Sequence, residues 1–261
     1  MDTHGKIAVT GATGRVGRHI VDVLEERGHE VVGISRSLGV DVVTGEGLAE
    51  ALAGVETVID AATQPTPDQD AATAFFTTAT RNLQEAGEQA GVQRIVVVSI
   101  IGIDRFTAGF LAAKRVHERV MLEGPIPVRI LRAAQFHEFV PELVDWATQD
   151  GVAYVPPMRT QLVAARTVAE ALVDLATAPD SAADGTGVAP IPEVAGPRAE
   201  NLAEMARLLT TQRGDGVRVE SASNPADPDR DLLERGALLP GPHATLAGPT
   251  FEEWLRSELA A

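Results

Sequence analysis

Residues 6–17 read Lys6-Ile7-Ala8-Val9-Thr10-Gly11-Ala12-Thr13-Gly14-Arg15-Val16-Gly17, and this stretch decides the fold. After a β-branched run, Gly11, Gly14 and Gly17 follow at three-residue spacing, and a helical pattern begins at about residue 15. In such a pattern Gly11 permits a tight strand-to-helix turn, Gly14 lets a phosphate approach the main chain, and Gly17 lets the helix pack closely on the sheet. Unpaired N–H groups and the positive dipole end at the helix start favour an anion. The stretch predicts a phosphate-binding turn; the alternative is a glycine-rich turn without a ligand.

Short β-branched runs alternate with helical patterns up to about residue 135. The predicted strands are 7–10, 31–34, 40–43, 57–60, 95–98 and 128–131, and the predicted helices lie near 16–24, 48–52, 71–90 and 108–122. Nearly continuous apolar strands are typical of a parallel sheet that is covered on both faces. Alternation with helices indicates βαβ units with right-handed crossovers. The sequence therefore predicts an α/β fold with a Rossmann-type, doubly wound parallel sheet.

The pattern loosens after residue 135. Helices are predicted at 138–147, 168–176, 199–209 and 250–259, strands at 152–154 and 161–163, and a loop at 179–187, whereas 221–231 has no clear period. We predict a single NAD(P)-binding domain over residues 1–261, in which roughly 136–261 contributes a small C-terminal substrate lobe.

Composition excludes several classes of function. A formal net charge of −15, with acidic residues spread along the chain, argues against nucleic acid or an anionic membrane as a partner. The sequence contains no cysteine, which excludes disulfides and thiolate chemistry, and it shows no metal-ligand motif. No signal peptide is visible, and the apolar run 95–103 is too short to cross a bilayer. We expect a cytoplasmic protein with a small-molecule substrate, and an oligomer is compatible with the sequence.

The end of the second predicted strand bears on the choice of coenzyme. NAD sites place an acid there for the ribose hydroxyls, but no acid occurs between residues 31 and 40. Arg36 can bind a 2′-phosphate, and Ser35 and Ser37 can donate hydrogen bonds to it, so NADP(H) is favoured over NAD(H). The alternative for Arg36 is a solvated surface residue. Asp41 is a candidate acceptor for the adenine amino group, and the alternative is a turn aspartate.

Five segments together resemble the atypical short-chain dehydrogenase/reductase superfamily, in its NmrA-like and quinone-oxidoreductase-like branch. These segments are residues 9–17, 52–62, 97–104, 109–114 and 130–136. The resemblance is specific over residues 5–137 and weaker to residue 255, and it implies NAD(P)(H) binding and often hydride transfer. With the resemblance, the predicted cofactor-binding residues are Gly11, Thr13, Gly14, Arg15, Val16, Gly17, Ser35, Arg36, Ser37, Asp41, Val42, Ala61, Ala62 and Lys114.

The resemblance also implies catalytic residues, and this chain departs from the family at one of them. The family uses a serine that orients the carbonyl, a tyrosine that protonates it, and a lysine that supports the tyrosine and holds the nicotinamide ribose. Ser99 and Lys114 match the serine and the lysine, but Phe110 stands at the tyrosine position. A phenyl ring has no proton to donate, and general acid catalysis contributes about two to four orders of magnitude.

Residues outside the motif offer partial substitutes. His137 follows the last predicted strand before the lobe and is a candidate proton donor near neutral pH; the alternative is a helix-start histidine without chemistry. Tyr154 is either a displaced acid or a packed strand residue. Phe110, Phe136 and Tyr154 are the predicted substrate-pocket residues, with a plain core role as the alternative.

Two functions of different class fit these residues. The first is an NADPH-dependent reductase of a quinone or another conjugated carbonyl, because such an acceptor stabilises the anion and water can supply the proton. The second is a non-catalytic dinucleotide-binding redox sensor or regulatory protein of the NmrA-like type. Redox-neutral chemistry on the same scaffold is a third option that no residue supports.

Overall fold

The computed structural model describes residues 5–64, 66, 68–179 and 190–260. It divides the chain into two compact units. Unit one takes Met1–Ser99, Gly109–Arg132 and Val168–Pro192, and unit two takes Ile100–Ala108, Ala133–Thr167 and Glu193–Ala261. Most of the predicted loop 179–187 lies outside the described residues.

Strands and helices alternate through the first half of the chain. They are β1 (Lys6–Thr10), α1 (Gly17–Glu26), β2 (Val31–Ile34), α2 (Leu48–Ala51), β3 (Val55–Asp60), α3 (Gln69–Ala90), β4 (Arg94–Ile100), α4 (Gly109–Leu122) and β5 (Val128–Ala133). The second half contains α5 (Phe139–Ala147), β6 (Thr148–Gln149), β7 (Val152–Val155), β8 (Arg159–Thr160), α6 (Ala165–Thr177), β9 (Glu193–Ala195), β10 (Glu200–Asn201), α7 (Leu202–Arg213), β11 (Arg218–Ser221), α8 (Arg230–Glu234), β12 (Thr245–Leu246) and α9 (Phe251–Glu258).

The sheet of unit one has the strand order β5-β4-β3-β1-β2. β1 runs parallel to β2 and β3, and β3 runs parallel to β4. Consecutive residues such as Val58 and Ile59, or Val96 and Val97, are fully buried, so side chains on both faces of the sheet are covered. Helices α1 and α2 contact the sheet strands, and α3 packs along α4. These features confirm the predicted Rossmann-type α/β fold.

The predicted strand at 40–43 is wrong, because this segment forms a turn. The Asp41 carboxylate accepts a hydrogen bond from Val43 N at 2.7 Å, and Asp41 N donates to Glu46 O at 3.0 Å. Local hydrogen bonding by the aspartate overrides the β-branched run around it. Without a strand at 40–43, the predicted strand 95–98 becomes the fourth strand of the chain rather than the fifth. It is β4, and Ser99 lies inside it.

Unit two contains short strand pairs and helices. β7 pairs antiparallel with β6 and parallel with β11, β8 pairs with β10, and β9 pairs with β12. β9 also bonds to the residue that follows β5, through Ala134 N and Val194 O at 2.9 Å. The single-domain assignment with a lobe from residue 136 stays a prediction, although the larger part of α6 belongs to unit one.

Two predicted elements of unit two are displaced. Residues 161–163 do not form a strand: pairing occurs earlier at β8, and Val163 makes only an isolated bridge to Phe136. The helix predicted from 199 begins at Leu202, because the Asn201 side chain accepts from the amides of Ala203 and Glu204 and caps the helix. The segment 221–231, which lacks a readable period, contains the end of β11 and the start of α8.

Within the described part of the chain, no helix combines the length and apolar composition needed to cross a bilayer.

Candidate functional site

The turn between β1 and α1 (residues 11–17, here the glycine turn) requires glycine at two positions for steric reasons. Gly11 has a φ of +66°, and a Cβ on it would lie 2.7 Å from the main-chain oxygen of Ala61. A Cβ on Gly17 would lie 2.0 Å from the oxygen of Gly11, which is far inside van der Waals contact. The glycines therefore let the turn, the start of α1 and the segment after β3 approach one another closely.

The glycine turn also presents main-chain donors. Gly14 N donates to Gly11 O at 2.8 Å, but in the described residues no acceptor bonds to the amides of Thr13, Val16 or Gly17. Gly14 is exposed, and a Cβ there would meet only Gly11 O, at 3.0 Å. Unbonded amides beside an exposed glycine at a helix start match what the pyrophosphate of a dinucleotide requires. The residues therefore fit a dinucleotide, which Thr13, Val16 and Gly17 would hold through their amides.

Hydroxyl groups gather where β2 ends. Ser35 Oγ lies 3.0 Å from Ser37 Oγ, and Ser37 Oγ donates to Thr13 Oγ1 at 3.2 Å. Arg36 is exposed at the start of a short 3₁₀ turn, and no carboxylate in the described segments lies within ion-pair distance of it. These side chains offer hydroxyl donors and a cation beside the glycine turn, as the choice of NADP(H) requires.

The turn after β2 gives Asp41 a structural partner. Its carboxylate accepts from Val43 N, as described above, which is the turn-aspartate alternative; contact with an adenine stays a prediction. Asn82 of α3 donates to Val42 O at 3.0 Å and to Val43 O at 2.7 Å, so this turn is held against α3.

The segment after β3 lies directly against the glycine turn. Ala61 N donates to Thr10 O at 3.2 Å, and Ala62 N donates to the Asp60 carboxylate at 3.2 Å. Ala61 O is the atom that excludes a side chain at Gly11. Ala61 and Ala62 thus lie beside the predicted cofactor-binding residues of the turn, and their contact with a cofactor stays a prediction.

Beneath these segments lies a buried polar cluster that sequence reasoning missed in part: Thr10, Asp60, Lys114 and His117. The Asp60 carboxylate accepts a hydrogen bond from Thr10 Oγ1, and its Oδ2 lies 3.2 Å from His117 Nε2. Lys114 Nζ donates to Val98 O at 2.8 Å and lies 3.0 Å from His117 Nδ1. All four side chains are less than a tenth exposed.

The pKa shifts in the buried polar cluster define its charges. Burial lowers the pKa of the Lys114 amine to about 8, against the raising influence of the Asp60 and Glu118 carboxylates, so the amine is charged at neutral pH. Burial and then the nearby Lys114 charge lower the pKa of His117. Burial raises the pKa of the Asp60 carboxyl, but the His117 and Thr10 hydrogen bonds and neighbouring charges outweigh it, and the net shift is downward. The cluster therefore contains a carboxylate, a neutral imidazole and an ammonium group.

Lys114 is buried, and its amine also lies 4.8 Å from the centre of the Phe76 ring. Val98 O and His117 use two of the three donors of the ammonium group, and a contact with the nicotinamide ribose stays a prediction. His117 follows Lys114 by three residues on α4, and this spacing on one helix face was the signal that could have identified it.

Ser99 and Phe110 lie in different surroundings. Ser99 Oγ is buried, and none of the described residues uses its hydrogen-bonding capacity. Phe110 packs edge-on against Phe76 at 5.7 Å between ring centres and belongs to an apolar cluster with Phe75. The ring at the family's tyrosine position thus lies on apolar neighbours, and a pocket role stays a prediction.

In unit two, His137 lies among aromatic side chains. Its ring is fully buried, Nε2 donates to Pro249 O at 3.0 Å, and the rings of Phe251 and Trp254 flank it at 5.6 and 5.5 Å. Burial lowers the pKa of His137 to about 4, although the Pro249 carbonyl acts in the opposite direction. These surroundings fit the alternative of a histidine without chemistry, and a proton-donor role for His137 stays a prediction.

The other two predicted pocket residues of unit two are more open. Tyr154 lies on β7 opposite Glu220, and its side chain is 45% exposed. It is therefore not the packed strand residue expected as the alternative to a displaced acid. Phe136 is half-buried beside His137 and bridges to Val163.

A family model described as NAD(P)H-binding matches residues 11–179, which is more than half of the chain. The chain belongs to this NAD(P)H-binding family, and the match confirms the predicted resemblance to dehydrogenase-like, NAD(P)-binding proteins. It is 35% identical over 113 residues to a 3-beta-hydroxysteroid dehydrogenase of Mycolicibacterium neoaurum, covering 35% of this chain and 31% of that protein. It is 29% identical over 146 residues to the photosystem II assembly factor Ycf39 of Synechocystis, covering 50% and 45%. The chain matches less than half the length of each of these curated relatives.

Solved structures share the fold over almost the whole chain. MoeE5 in complex with UDP-glucose and NAD superposes with a TM-score of 0.68 at 20% identity, covering 98% of this chain and 100% of that one. WbmG of Bordetella bronchiseptica in complex with NAD gives a TM-score of 0.67 at 16% identity, covering 99% and 94%. At these identities the likeness shows the fold alone, which is the Rossmann-type fold predicted from the sequence.

Proposed function

We propose that the chain is an NADP(H)-dependent oxidoreductase of the atypical short-chain dehydrogenase/reductase type that reduces a quinone or another conjugated carbonyl. One observation carries the coenzyme part: the unbonded amides of Thr13, Val16 and Gly17 at the start of α1. A bound NADPH supplies a hydride equivalent, and the chain's own residues bind it and orient the acceptor. The family match supports the dinucleotide but leaves the coenzyme and the substrate to be proposed.

The preference for NADP(H) is supported by charge and hydroxyl groups. Arg36 is exposed and without a carboxylate partner in the described residues, and Ser35, Ser37 and Thr13 place three hydroxyls together. A guanidinium with adjacent hydroxyl donors stabilises a 2′-phosphate, and the lack of an acid at the end of β2 removes the repulsion an NAD site would exert.

The choice of acceptor follows from the missing acid. Phe110 cannot donate a proton, and the Lys114 amine is engaged with Val98 O and His117. A quinone or enone delocalises the developing negative charge, so a proton from water suffices and no side-chain acid is required. Ser99 Oγ, which has no partner in the described chain, is the residue we assign to hydrogen-bond the acceptor carbonyl.

The same replacement of tyrosine by Phe110 favours a second candidate, a non-catalytic redox sensor that binds the dinucleotide. Oxidation of NADPH, followed by absorbance in the presence of a panel of quinones and enones, separates the two. Turnover that falls at least about tenfold in Ser99→Ala supports the reductase. Tight binding of NADPH without turnover across the panel supports the sensor.

The coenzyme assignment is tested by charge reversal at Arg36. Arg36→Asp is expected to weaken NADPH binding by about 10- to 100-fold, because a charge-assisted contact is replaced by repulsion, and to weaken NADH binding by less than about threefold. Arg119→Asp, which changes the same charge on an exposed residue at the far end of α4, is the matched control and should leave both affinities unchanged. Equal losses for both coenzymes in Arg36→Asp, measured by calorimetry, would contradict the 2′-phosphate assignment.

A further inference from the structure

We propose that His117 is a positioning residue of the dinucleotide site, because it joins α4 to the two strand ends that carry Gly11 and Ala61. This inference rests on the proposed function, since it concerns how the same site is held. His117 belongs to none of the segments that carry the family resemblance, and its role is assigned here from its contacts.

The Asp60 carboxylate connects the two strand ends. It accepts from Thr10 Oγ1, immediately before Gly11, and from Ala62 N, immediately after Ala61. The Ala61 oxygen in turn packs so closely on Gly11 that no side chain fits there. The orientation of this one carboxylate therefore fixes the relative position of the glycine turn and the segment after β3.

His117 fixes that carboxylate from α4. Its Nε2 lies 3.2 Å from Asp60 Oδ2, on the oxygen that Thr10 and Ala62 do not use. The imidazole also stacks on the Phe76 ring, with ring centres 4.6 Å apart and planes 17° apart. Packing against Phe76 restricts the ring, so the direction of its Nε2–H is set before any ligand binds.

Lys114 sets the tautomer of His117. The charged amine has only donors, so at 3.0 Å from His117 Nδ1 it donates to that nitrogen. The neutral imidazole must then carry its proton on Nε2, from which it donates to the Asp60 carboxylate. In this arrangement the lysine at the family's ribose position acts through His117 and Asp60 on the glycine turn.

A purely structural role for His117 makes a different prediction, and Gln84 provides the matched control. Gln84 is buried on α3, donates to Met121 O at 3.0 Å and accepts from Ile126 N at 3.1 Å. It therefore joins α3 to the end of α4 through two buried hydrogen bonds, as His117 joins α4 to β3. None of its partners belongs to the glycine turn.

The test compares His117→Phe, which keeps the stacked ring but removes both nitrogens, with Gln84→Met. Calorimetry with NADPH and NADH and thermal melting without coenzyme are measured for each. We expect His117→Phe to weaken both coenzymes by about tenfold or more, the equivalent of one charge-assisted hydrogen bond, and Gln84→Met to lower the melting temperature without changing either affinity. His117→Gln, which restores an amide donor, should recover part of the loss. Equal melting losses with affinities unchanged in His117→Phe would overturn the inference.

Failure of the proposed coenzyme site is distinguishable, because wild-type protein would then bind neither coenzyme. Failure of the reductase activity alone would leave wild-type binding intact and the comparison of variants unaffected. A measurement on the wild type covers the case in which His117→Phe does not fold. Imidazole ¹⁵N resonances should show His117 protonated at Nε2, and addition of NADP⁺ should shift that N–H resonance together with the amides of the glycine turn. A proton on Nδ1, or an Nε2–H resonance that does not move while the Gly14 and Gly17 amides do, would also overturn the inference.

Discussion

Among the residues that the structure describes, two histidines are buried, His117 in unit one and His137 in unit two, and their environments are opposite in kind. His117 has a polar partner on each ring nitrogen, Lys114 on one and Asp60 on the other. His137 donates one hydrogen bond to Pro249 O, and its Nδ1 has no partner among the described residues. Burial lowers the pKa of both, so both rings are neutral at pH 7, but only His117 contacts residues adjoining the glycine turn.

Burial and a lowered pKa are common to both histidines, so neither property separates them. His137 follows β5, where a substrate contact is expected from the chain order, yet aromatic rings surround it. His117 lies in the middle of a helix with no motif around it, yet its partners reach the predicted coenzyme-binding turn. The bonded partners, rather than the position along the chain, distinguish the two.

The largest expected effect is a loss of stability when Asp60, the partner of His117, is replaced. Asp60→Leu removes the acceptor shared by Thr10, Ala62 and His117, and the buried donors are then left unpaired. We expect the free energy of unfolding to fall by about 3–5 kcal/mol in urea denaturation. A loss below about 1 kcal/mol would show that the carboxylate does not organise the buried polar cluster.

The next largest effect is the loss of unfolding free energy at acidic pH that the burial of His137 causes. The unfolded chain takes up a proton on this residue as pH falls below 6.5, whereas its folded pKa is about 4, so stability is lost as pH falls through this window. The loss amounts to about 3 kcal/mol for a fully buried ring. His137→Phe, which cannot titrate, should lose correspondingly less between these pH values in urea unfolding. Identical acid losses in the wild type and the variant would contradict the assignment.

The third effect is a titration shift. Lys6 and Lys114 are the lysines of the sequence, so the Lys114 side-chain carbon signal can be assigned with a Lys6→Gln variant. Its NMR titration should give a pKa of about 8. Asp60→Asn removes the carboxylate that raises the pKa of Lys114, and the titration should move further down. An upward or absent movement would show that the two groups do not interact.

The smallest effect tests the stacked ring. Phe76→Leu keeps an apolar side chain but removes the stacking on His117 and the contact with the Lys114 amine, so it should cost about 1 kcal/mol more than Phe75→Leu. Phe75 serves as the control because it shares the apolar cluster but is only half-buried. Equal losses of unfolding free energy would contradict the predicted extra contribution of the Phe76 ring.

The sequence predicts local features better than tertiary ones. The glycine turn follows from three residues whose spacing has a steric cause, and the structure shows that cause at Gly11 and Gly17. The strand at 40–43 fails because a single side chain, Asp41, satisfies the main chain locally. Helix α7 begins three residues after the predicted start at 199, because the Asn201 cap, rather than the apolar pattern, sets its first turn.

The candidate site was predictable where it lies in one segment and not where it joins distant ones. Ser35, Arg36 and Ser37 are adjacent in sequence, so their chemistry can be read directly. His117 of α4 and Asp60 of β3 are far apart in sequence and meet only in the folded chain, so no local spacing encodes their contact. Lys114 was identified from the family motif, but its inward direction depends on the same packing.

The central claim is that the amides of the glycine turn hold a pyridine dinucleotide. Isothermal titration calorimetry of the purified chain with NADPH and with NADH tests it most directly. The account predicts saturable binding of both coenzymes with NADPH about tenfold or more the tighter, and loss of both in Gly14→Val while the circular dichroism spectrum and melting transition persist. Absence of binding to either coenzyme at millimolar concentration by folded wild-type protein would contradict it.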